Sequence, residues 1–396
     1  LCMSSAVAAY KRAFGSDTVP CNYEDLELTD LLVLAGSNAG WTHPVLFQRM
    51  QAAKANNPNL KMVVIDPRRS ATAEFADLFL PIRPGSDVAL FNGLLNYPLE
   101  SNAADNEFIE RHCEKWQQTV QQIRHYDIDT VVSQCDVVKD AILEFYRLFA
   151  ETRRSVTFYS QGINQSHQGV DKCNAIINCH LATGKIGKAG SGPFSITGQP
   201  NAMGGREVGG LANMLAAHMN IEDAEHRAWV QDFWEAPTIC QTPGHKTLDM
   251  FDAIAEGKIK AVWIMATNPL VSLPNRDKII KALNRCELVV VSDCVAQNDT
   301  LEFAHVKLPA TTWAEKNGTV TNSERRISRQ RSIIPAPGQA RHDWQIICDV
   351  ARKMGFNRQF DYQHPVEIFT EHAALSGLNN GTQGHPKRDF DISAFA

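Results

Sequence analysis

Two long segments of this chain are written in the same grammar, and that repetition limits its architecture more than any other feature. Residues 30–35 (Asp-Leu-Leu-Val-Leu-Ala) form a short apolar run that stops at Gly36-Ser37-Asn38. Residues 61–65 form a second, ending at Asp66-Pro67, and residues 76–82 a third, leading into Arg83-Pro84-Gly85-Ser86-Asp87. The runs are rich in leucine and β-branched residues, bounded by turn formers, and separated by helical stretches such as 44–55. Such alternation predicts βαβ units and a parallel sheet buried on both faces. The pattern returns at 261–266, ending in Thr267-Asn268-Pro269, at 287–291, ending in Ser292-Asp293, and at 304–308, leading into Pro309. Asn38 to Asp66 spans 28 positions and Asn268 to Asp293 spans 25; Asp66 to Pro81 spans 15 and Asp293 to Pro309 spans 16. Three landmarks matched in order argue against coincidence. The expected fold class is α/β: two Rossmann-like, doubly wound parallel-sheet domains related by an internal pseudo-repeat and facing a shared cofactor cleft.

In open α/β sheets ligands bind beyond the carboxyl ends of the strands, and an acidic residue after the second strand suits a ribose or a base edge. Asn38, Asp66, Asn268 and Asp293 all fall at such ends. Each could equally cap the helix that follows; the paired arrangement favours two nucleotide-sized sites, one per domain. Between the two halves lies a glycine-rich stretch. Residues 183–210 hold nine of the chain's 24 glycines, with one arginine, Arg206, beside Glu207. Flexible backbone around a fixed, always-charged fork suits an anion, although a linker carrying a solvated arginine would read alike.

Composition bounds the partners. A chain of 396 residues is long enough for two or three domains with a large core. A net charge of −5 argues against a nucleic-acid surface, and no apolar run approaches membrane-spanning length. The ten cysteines are scattered without a C-x-x-C pair or a zinc-like spacing. They read as reduced thiols of an intracellular protein, most of them core filler. The chain begins at Leu1 rather than methionine and reads as a piece of a longer polypeptide.

Other stretches carry polar chemistry. Residues 160–168 are amide-rich and follow a strand-like run, so Gln161, Asn164 and Gln165 could line a ligand groove or simply open a helix. Residues 312–326 are polar and Gly-turned, and Lys316, Arg325 or Arg326 could meet phosphate there or lie on a plain surface turn. The histidines, His167 and His180 included, have no ligand-like spacing. A helix is expected over 343–354; residues 357–396 have few apolar anchors and are expected to rest on something outside this chain.

Five stretches together resemble the molybdenum-containing nitrate reductases of the bis-molybdopterin guanine dinucleotide family: 1–6 (Leu-Cys-Met-Ser-Ser-Ala), 36–44, 160–165, 183–210 and 313–326. The resemblance covers nearly the whole chain. It implies that Cys2 is the metal ligand, with Met3 beside it at the catalytic centre; a soft thiolate suits a metal already held by dithiolene sulfurs. It implies a first cofactor-contact set of Gly36, Ser37, Asn38, Trp41, Asp66, Pro67, Arg68, Gly85, Ser86 and Asp87, joined by Gln161 and Gln165. A second set comprises Asn268, Ser292, Asp293, Lys316 and Asp343. Arg206 and Met203 resemble positions near the metal, with Arg206 orienting the substrate anion.

The cofactor so implied is molybdenum with two molybdopterin guanine dinucleotides. The reaction implied is reduction of nitrate to nitrite by oxygen-atom transfer, in the cytoplasm, with ferredoxin, flavodoxin or an NADH-linked reductase as electron donor and neither nucleic acid nor membrane as partner. Asn-Gly-Thr-Val-Thr-Asn-Ser-Glu-Arg-Arg at 317–326 resembles the assimilatory type, hence nitrate assimilation. The family's iron–sulfur cluster sits on an N-terminal cysteine cluster, which this sequence does not contain, and its C-terminal β-rich domain is not recognisable here either. The expected layout is therefore 1–196 as the first domain, 197–340 as the second, and 341–396 as a tail belonging to another part of a larger enzyme, the fragment itself being inactive. A formate dehydrogenase-like enzyme and a non-catalytic cofactor-binding homologue remain the alternatives. A plain nucleotide-dependent dehydrogenase would carry G-x-G-x-x-G after its first strand, which Gly36-Ser37-Asn38 is not.

Overall fold

The computed structural model describes residues 2–382 and 384–396. The chain divides into two compact units: Leu1–Met203 with Thr321–Arg326, and Gly204–Val320 with Ile327–Ala396.

The first unit is built on five parallel strands, β1 (Leu31–Ala35), β2 (Lys61–Ile65), β3 (Leu78–Leu80), β4 (Ser155–Tyr159) and β5 (Gly192–Ser195), in the order β3-β2-β1-β4-β5. Register is set by in-phase apolar runs: Leu31 lies opposite Lys61 on one side and Ser155 on the other, and Ala35 opposite Ile65 and Tyr159. Alternate side chains face opposite layers, so a continuous apolar strand fills two cores at once. Leu31, Val33, Val63 and Ile65 pack with Leu90, Leu94, Phe145 and Ile176. Leu32, Leu34, Met62 and Val64 pack with Phe47, Met50 and Phe194 on the other face. The helices over those faces include Pro44–Asn56, opened by a proline in its first turn, Asp87–Glu100 and Gly169–Ala182.

The second unit contains three parallel strands, β6 (Ala261–Met265), β7 (Leu288–Asp293) and β8 (Val306–Pro309), in that spatial order. Val262, Ile264, Val289 and Val291 pack with Phe251, Ile279 and Leu283. A hairpin, β9 (Gly318–Thr321) and β10 (Ile327–Gln330), follows, and its turn belongs to the first unit.

The internal repeat holds to the level of single hydrogen bonds. Gly36 and Ala266, each just past its first strand, take left-handed backbone (φ +56° and +53°). Their N–H groups donate to Ile65 and Ser292, the corresponding residues of the second strands. The short helices Ala39–Thr42 and Pro269–Ser272 then open after Asn38 and Asn268. Even the edge bonds correspond: Met62 N–H donates to Asp77 Oδ2, and Val289 N–H to His305 Nδ1.

Two expectations on layout meet a different structure. The second unit is not continuous from 197, because residues 321–326 return to the first. The segment beyond 341 is anchored within the second unit rather than lacking apolar contacts: Leu375 and Phe390 pack with Ala217, Met219 and Val230.

Candidate functional site

Strand order in the first unit reverses between β1 and β4, and such a reversal opens a crevice at the strand carboxyl ends. The loops leaving β1 and β4 cross there at backbone distance. Gly162 N–H donates to Gly36 O at 2.9 Å, and a Cβ on Gly36 would stand 2.8 Å from the Gly162 backbone. Glycine is required at both positions, which also assigns Gly36 a structural duty beside any contact with a ligand.

Cys2 lies at this crossing. Gln161 Nε2 donates to Cys2 Sγ at 3.4 Å, and Ser160 Oγ donates to Gln161 Oε1, so the carboxamide is held with its donor end towards sulfur. The thiol is half-buried. Among the described residues no group of three or more His, Cys, Asp or Glu side chains is placed to hold a metal ion. The Cys2 thiolate suits a soft metal whose other donors are sulfur, as a dithiolene cofactor provides.

Polar atoms without partners gather along the same strand ends. The hydroxyls of Ser37, Ser70, Ser195 and Thr197 are buried and make no hydrogen bond among the described residues. They follow β1, follow β2, close β5 and lie just past it. Buried hydroxyls are rarely left unsatisfied, and each unmade bond costs about 1–3 kcal/mol. A polar ligand along this edge would satisfy them, so the donor set fits the cofactor that the sequence implies. His43 adds a neutral edge: its Nε2–H donates to Thr197 O at 2.9 Å, and burial lowers its pKa.

The remaining residues of the first set divide. Asn38 is half-buried, and its Oδ1 accepts from Thr72 Oγ1 at 2.9 Å. Asp66 turns its own loop, accepting the Arg68 N–H through Oδ1 at 2.9 Å. Trp41 is 71% exposed with the Arg68 guanidinium over its ring, and Pro67, Gly85 and Gln165 are exposed as well. Ser86 donates to Arg83 O. Asp87 is buried and ion-paired with Lys172 at 2.6 Å, which ties two helix N-termini together inside the unit. Met3 is buried, and its thioether accepts from Asn164 Nδ2 at 3.4 Å. Met203 is buried too.

In the second unit Asn268 keeps the posture of Asn38, with Oδ1 accepting from Thr300 Oγ1 at 2.6 Å. Asp293 is fully engaged: Oδ1 takes the N–H groups of Cys294 and Val295, and Oδ2 takes Asn298 Nδ2. Ser292 is wholly buried, with its hydroxyl accepting the Trp263 indole N–H at 2.8 Å. Lys316 and Asp343 neutralise one another at 2.7 Å, partly exposed. Arg206 belongs to the helix Ala202–Glu207 and is buried together with Glu207, so it is no solvated linker residue. Sequence reading passed over Ser70, Thr72, Ser160, Thr197 and Thr300. Thr72 six residues after Asp66 and Thr300 seven after Asp293 are the available signal for two of them.

Comparison with known proteins gives the same assignment. The family model for molybdopterin oxidoreductases matches residues 1–353. A nitrate reductase of Klebsiella oxytoca is 54% identical over 396 residues, covering 100% of this chain and 45% of that protein. The F420-dependent formate dehydrogenase subunit alpha of Methanocaldococcus jannaschii is 34% identical, covering 93% of this chain and 54% of the relative. Among solved structures, acetylene hydratase from Pelobacter acetylenicus superposes with a TM-score of 0.73 at 20% identity, over 94% of this chain and 53% of that one, a likeness of fold. The chain thus spans about half the length of the curated relatives it matches. On the family match and the strand-end architecture together, this chain belongs to the molybdopterin oxidoreductase family.

Proposed function

We propose that the complete protein reduces nitrate to nitrite by oxygen-atom transfer, in nitrate assimilation, with molybdenum held by two molybdopterin guanine dinucleotides. The observation that carries this reading is the Cys2 thiol at the switch point of the first sheet, under an oriented amide donor and beside buried, unsatisfied hydroxyls. When bound, the cofactor supplies two-electron oxygen-atom chemistry. The protein's part is to hold and to orient. Cys2 offers the thiolate ligand, and Gln161 donates to that sulfur and draws charge from it. Ser37, Asn38, Ser70 and Thr197 in the first unit, and Asn268 in the second, hold the nucleotide tails. Trp41, Asp66, Pro67, Arg68, Gly85, Ser86, Gln165, Asp293, Lys316 and Asp343 stay with that proposal as the surrounding loops. Arg206 orients the nitrate anion.

Nitrate is favoured over formate by two observations. Identity is 54% to a nitrate reductase against 34% to a formate dehydrogenase subunit. Met3, following the metal ligand, has no titratable group with which to take a proton from formate. The assimilatory assignment rests on residues 317–326 and implies a cytoplasmic enzyme fed by ferredoxin, flavodoxin or an NADH-linked reductase. The iron–sulfur inlet is assigned to chain outside residues 1–396.

The test is made on the natural full-length protein: molybdenum and guanosine monophosphate content, nitrate reduction with a viologen donor, and formate oxidation. Cys2→Ala is expected to keep the fold and the pterin and to lose nitrate turnover by at least about a hundredfold, the upper end of what losing a mere hydrogen-bond partner of a metal ligand costs. Formate oxidation faster than nitrate reduction would overturn the substrate, and undiminished turnover in metal-loaded Cys2→Ala would remove Cys2 from the chemistry.

A further inference from the structure

The two units repeat one hydrogen-bond relay that the assignment of Asn38 and Asn268 does not explain. In the first, the Thr72 hydroxyl accepts the Gly40 N–H at 2.9 Å and donates to Asn38 Oδ1 at 2.9 Å. In the second, the Thr300 hydroxyl accepts the Leu270 N–H at 3.4 Å and donates to Asn268 Oδ1 at 2.6 Å. Both threonines are fully buried, while both asparagines are half-buried at the strand ends. The network decides which way each carboxamide faces. A hydroxyl oxygen can accept two N–H groups, but its own proton then needs an acceptor, and among the described residues the amide oxygen is the one each buried hydroxyl reaches; the proton goes there and the carboxamide turns its oxygen to the threonine. Neither Asn Nδ2 donates to any described residue. In the first unit the neighbouring Ser37 hydroxyl is buried and likewise without a partner among the described residues.

We propose that Thr72 and Thr300 are positioning residues that lock Asn38 and Asn268 with Nδ2 as the free group, so that each strand end presents an amide donor to a phosphate oxygen of a bound nucleotide. A phosphate oxygen only accepts, so a flipped carboxamide would meet it with a second acceptor and repel it. The threonine therefore selects the donor face without touching the ligand. The inference rests on the cofactor reading above and deepens it.

The experiment uses the protein purified with its cofactor, reading guanosine monophosphate released by acid per chain and the half-life of bound pterin after dilution. Thr72→Val is expected to shorten that half-life about fivefold, the scale of one neutral hydrogen bond, and Thr72→Ser to restore it. Asn38→Asp keeps an acceptor for Thr72 but removes the donor, and should lose the cofactor at least as fast as Thr72→Val while unfolding at the wild-type temperature. In an Asn38→Ala background Thr72→Val should add nothing. The same set at Asn268 and Thr300 serves as an independent copy should one threonine variant fail to fold. Wild-type retention in Thr72→Val and Thr300→Val, or effects that add in full to those of the asparagine variants, would overturn the inference. Wild-type protein free of guanosine monophosphate would instead overturn the cofactor reading, and the two failures are told apart by that single measurement.

Discussion

At the scale of the residue, burial decides which polar groups serve the fold and which are left to meet a ligand. His180 belongs wholly to the fold. Its Nδ1–H donates to Lys185 O at 3.0 Å, and Thr157 Oγ1 donates to Nε2 at 2.8 Å, so the neutral ring is fully satisfied. Burial lowers its pKa from 6.5 to about 3. Because the folded value lies below the unfolded one, the unfolded chain binds more protons between these limits. The stabilisation is complete above pH 6.5 and is lost as pH falls towards 3, at about 1.4 kcal/mol per unit from this group. Urea denaturation at pH 7, 5.5 and 4.5 should show that slope, and His180→Gln should flatten it by the same amount. Lys185 titrates at the other end: burial lowers its pKa from 10.5 to about 8, while its ammonium donates to the Phe149 and Ala150 carbonyls. Its contribution rises with pH between those values, so Lys185→Met should remove a gain of about 3 kcal/mol across them. Ser292 and Asp87 show the same rule from the other side. Each is buried with a partner inside its own unit, Trp263 for Ser292 and Lys172 for Asp87.

At the scale of the element, most strands were legible because apolar runs in phase leave few ways to pair: β1–β4 and β6–β8 fall within a residue or two of the expected runs, whereas β5, β9 and β10 lie where no strand was expected. The helix from Pro44 and the helix from Asp343 were equally plain. What lay outside sequence reach was the crossing of the β1 and β4 loops, since two glycines far apart in the chain do not announce that they touch. The repeat supplies its own control. Gly36 and Ala266 share a left-handed conformation, but Gly36 faces the Gly162 backbone. Gly36→Ala should therefore cost about 2 kcal/mol or more, from a positive φ and a backbone clash together. Ala266→Gly should instead stabilise by about 0.5–1 kcal/mol, the left-handed penalty removed less the added chain entropy. Denaturation of both variants checks the contrast, and a Gly36→Ala cost no larger than the Ala266→Gly gain would show that the crossing contributes nothing.

At the scale of the whole molecule, the domain boundary expected near residue 196 is not a single cut, and the reason is chemical. Thr321–Arg326 forms the tip of a hairpin whose strands belong mostly to the second unit, but its polar groups complete the first. Ser323 Oγ accepts the Thr197 N–H at 3.2 Å and Glu324 Oε2 accepts the Tyr23 N–H at 2.7 Å. Thr321 N–H reaches Asn201 Oδ1 at 2.9 Å, and Arg325 pairs with Asp17 at 3.5 Å. By sequence, residues 312–326 suit a phosphate loop and a surface turn equally, because a buried polar tip and an exposed one share a composition. A fragment of residues 1–203 would leave the Thr197 and Tyr23 N–H groups unmet. It is expected to be about 2–4 kcal/mol less stable than the same fragment with 321–326 joined to its C-terminus by a flexible tether, at about 0.5–1.5 kcal/mol for the bond to Ser323 and about 1.5–3 kcal/mol for the bond to the Glu324 carboxylate, each exchanged for water. Guanidinium denaturation of the two fragments makes the comparison, with Ser323→Ala and Glu324→Ala in the tethered form removing the gain stepwise. Equal stability of the tethered and untethered fragments would mean that the hairpin tip only rests on the first unit, and that the unit can be cut at residue 203 without loss.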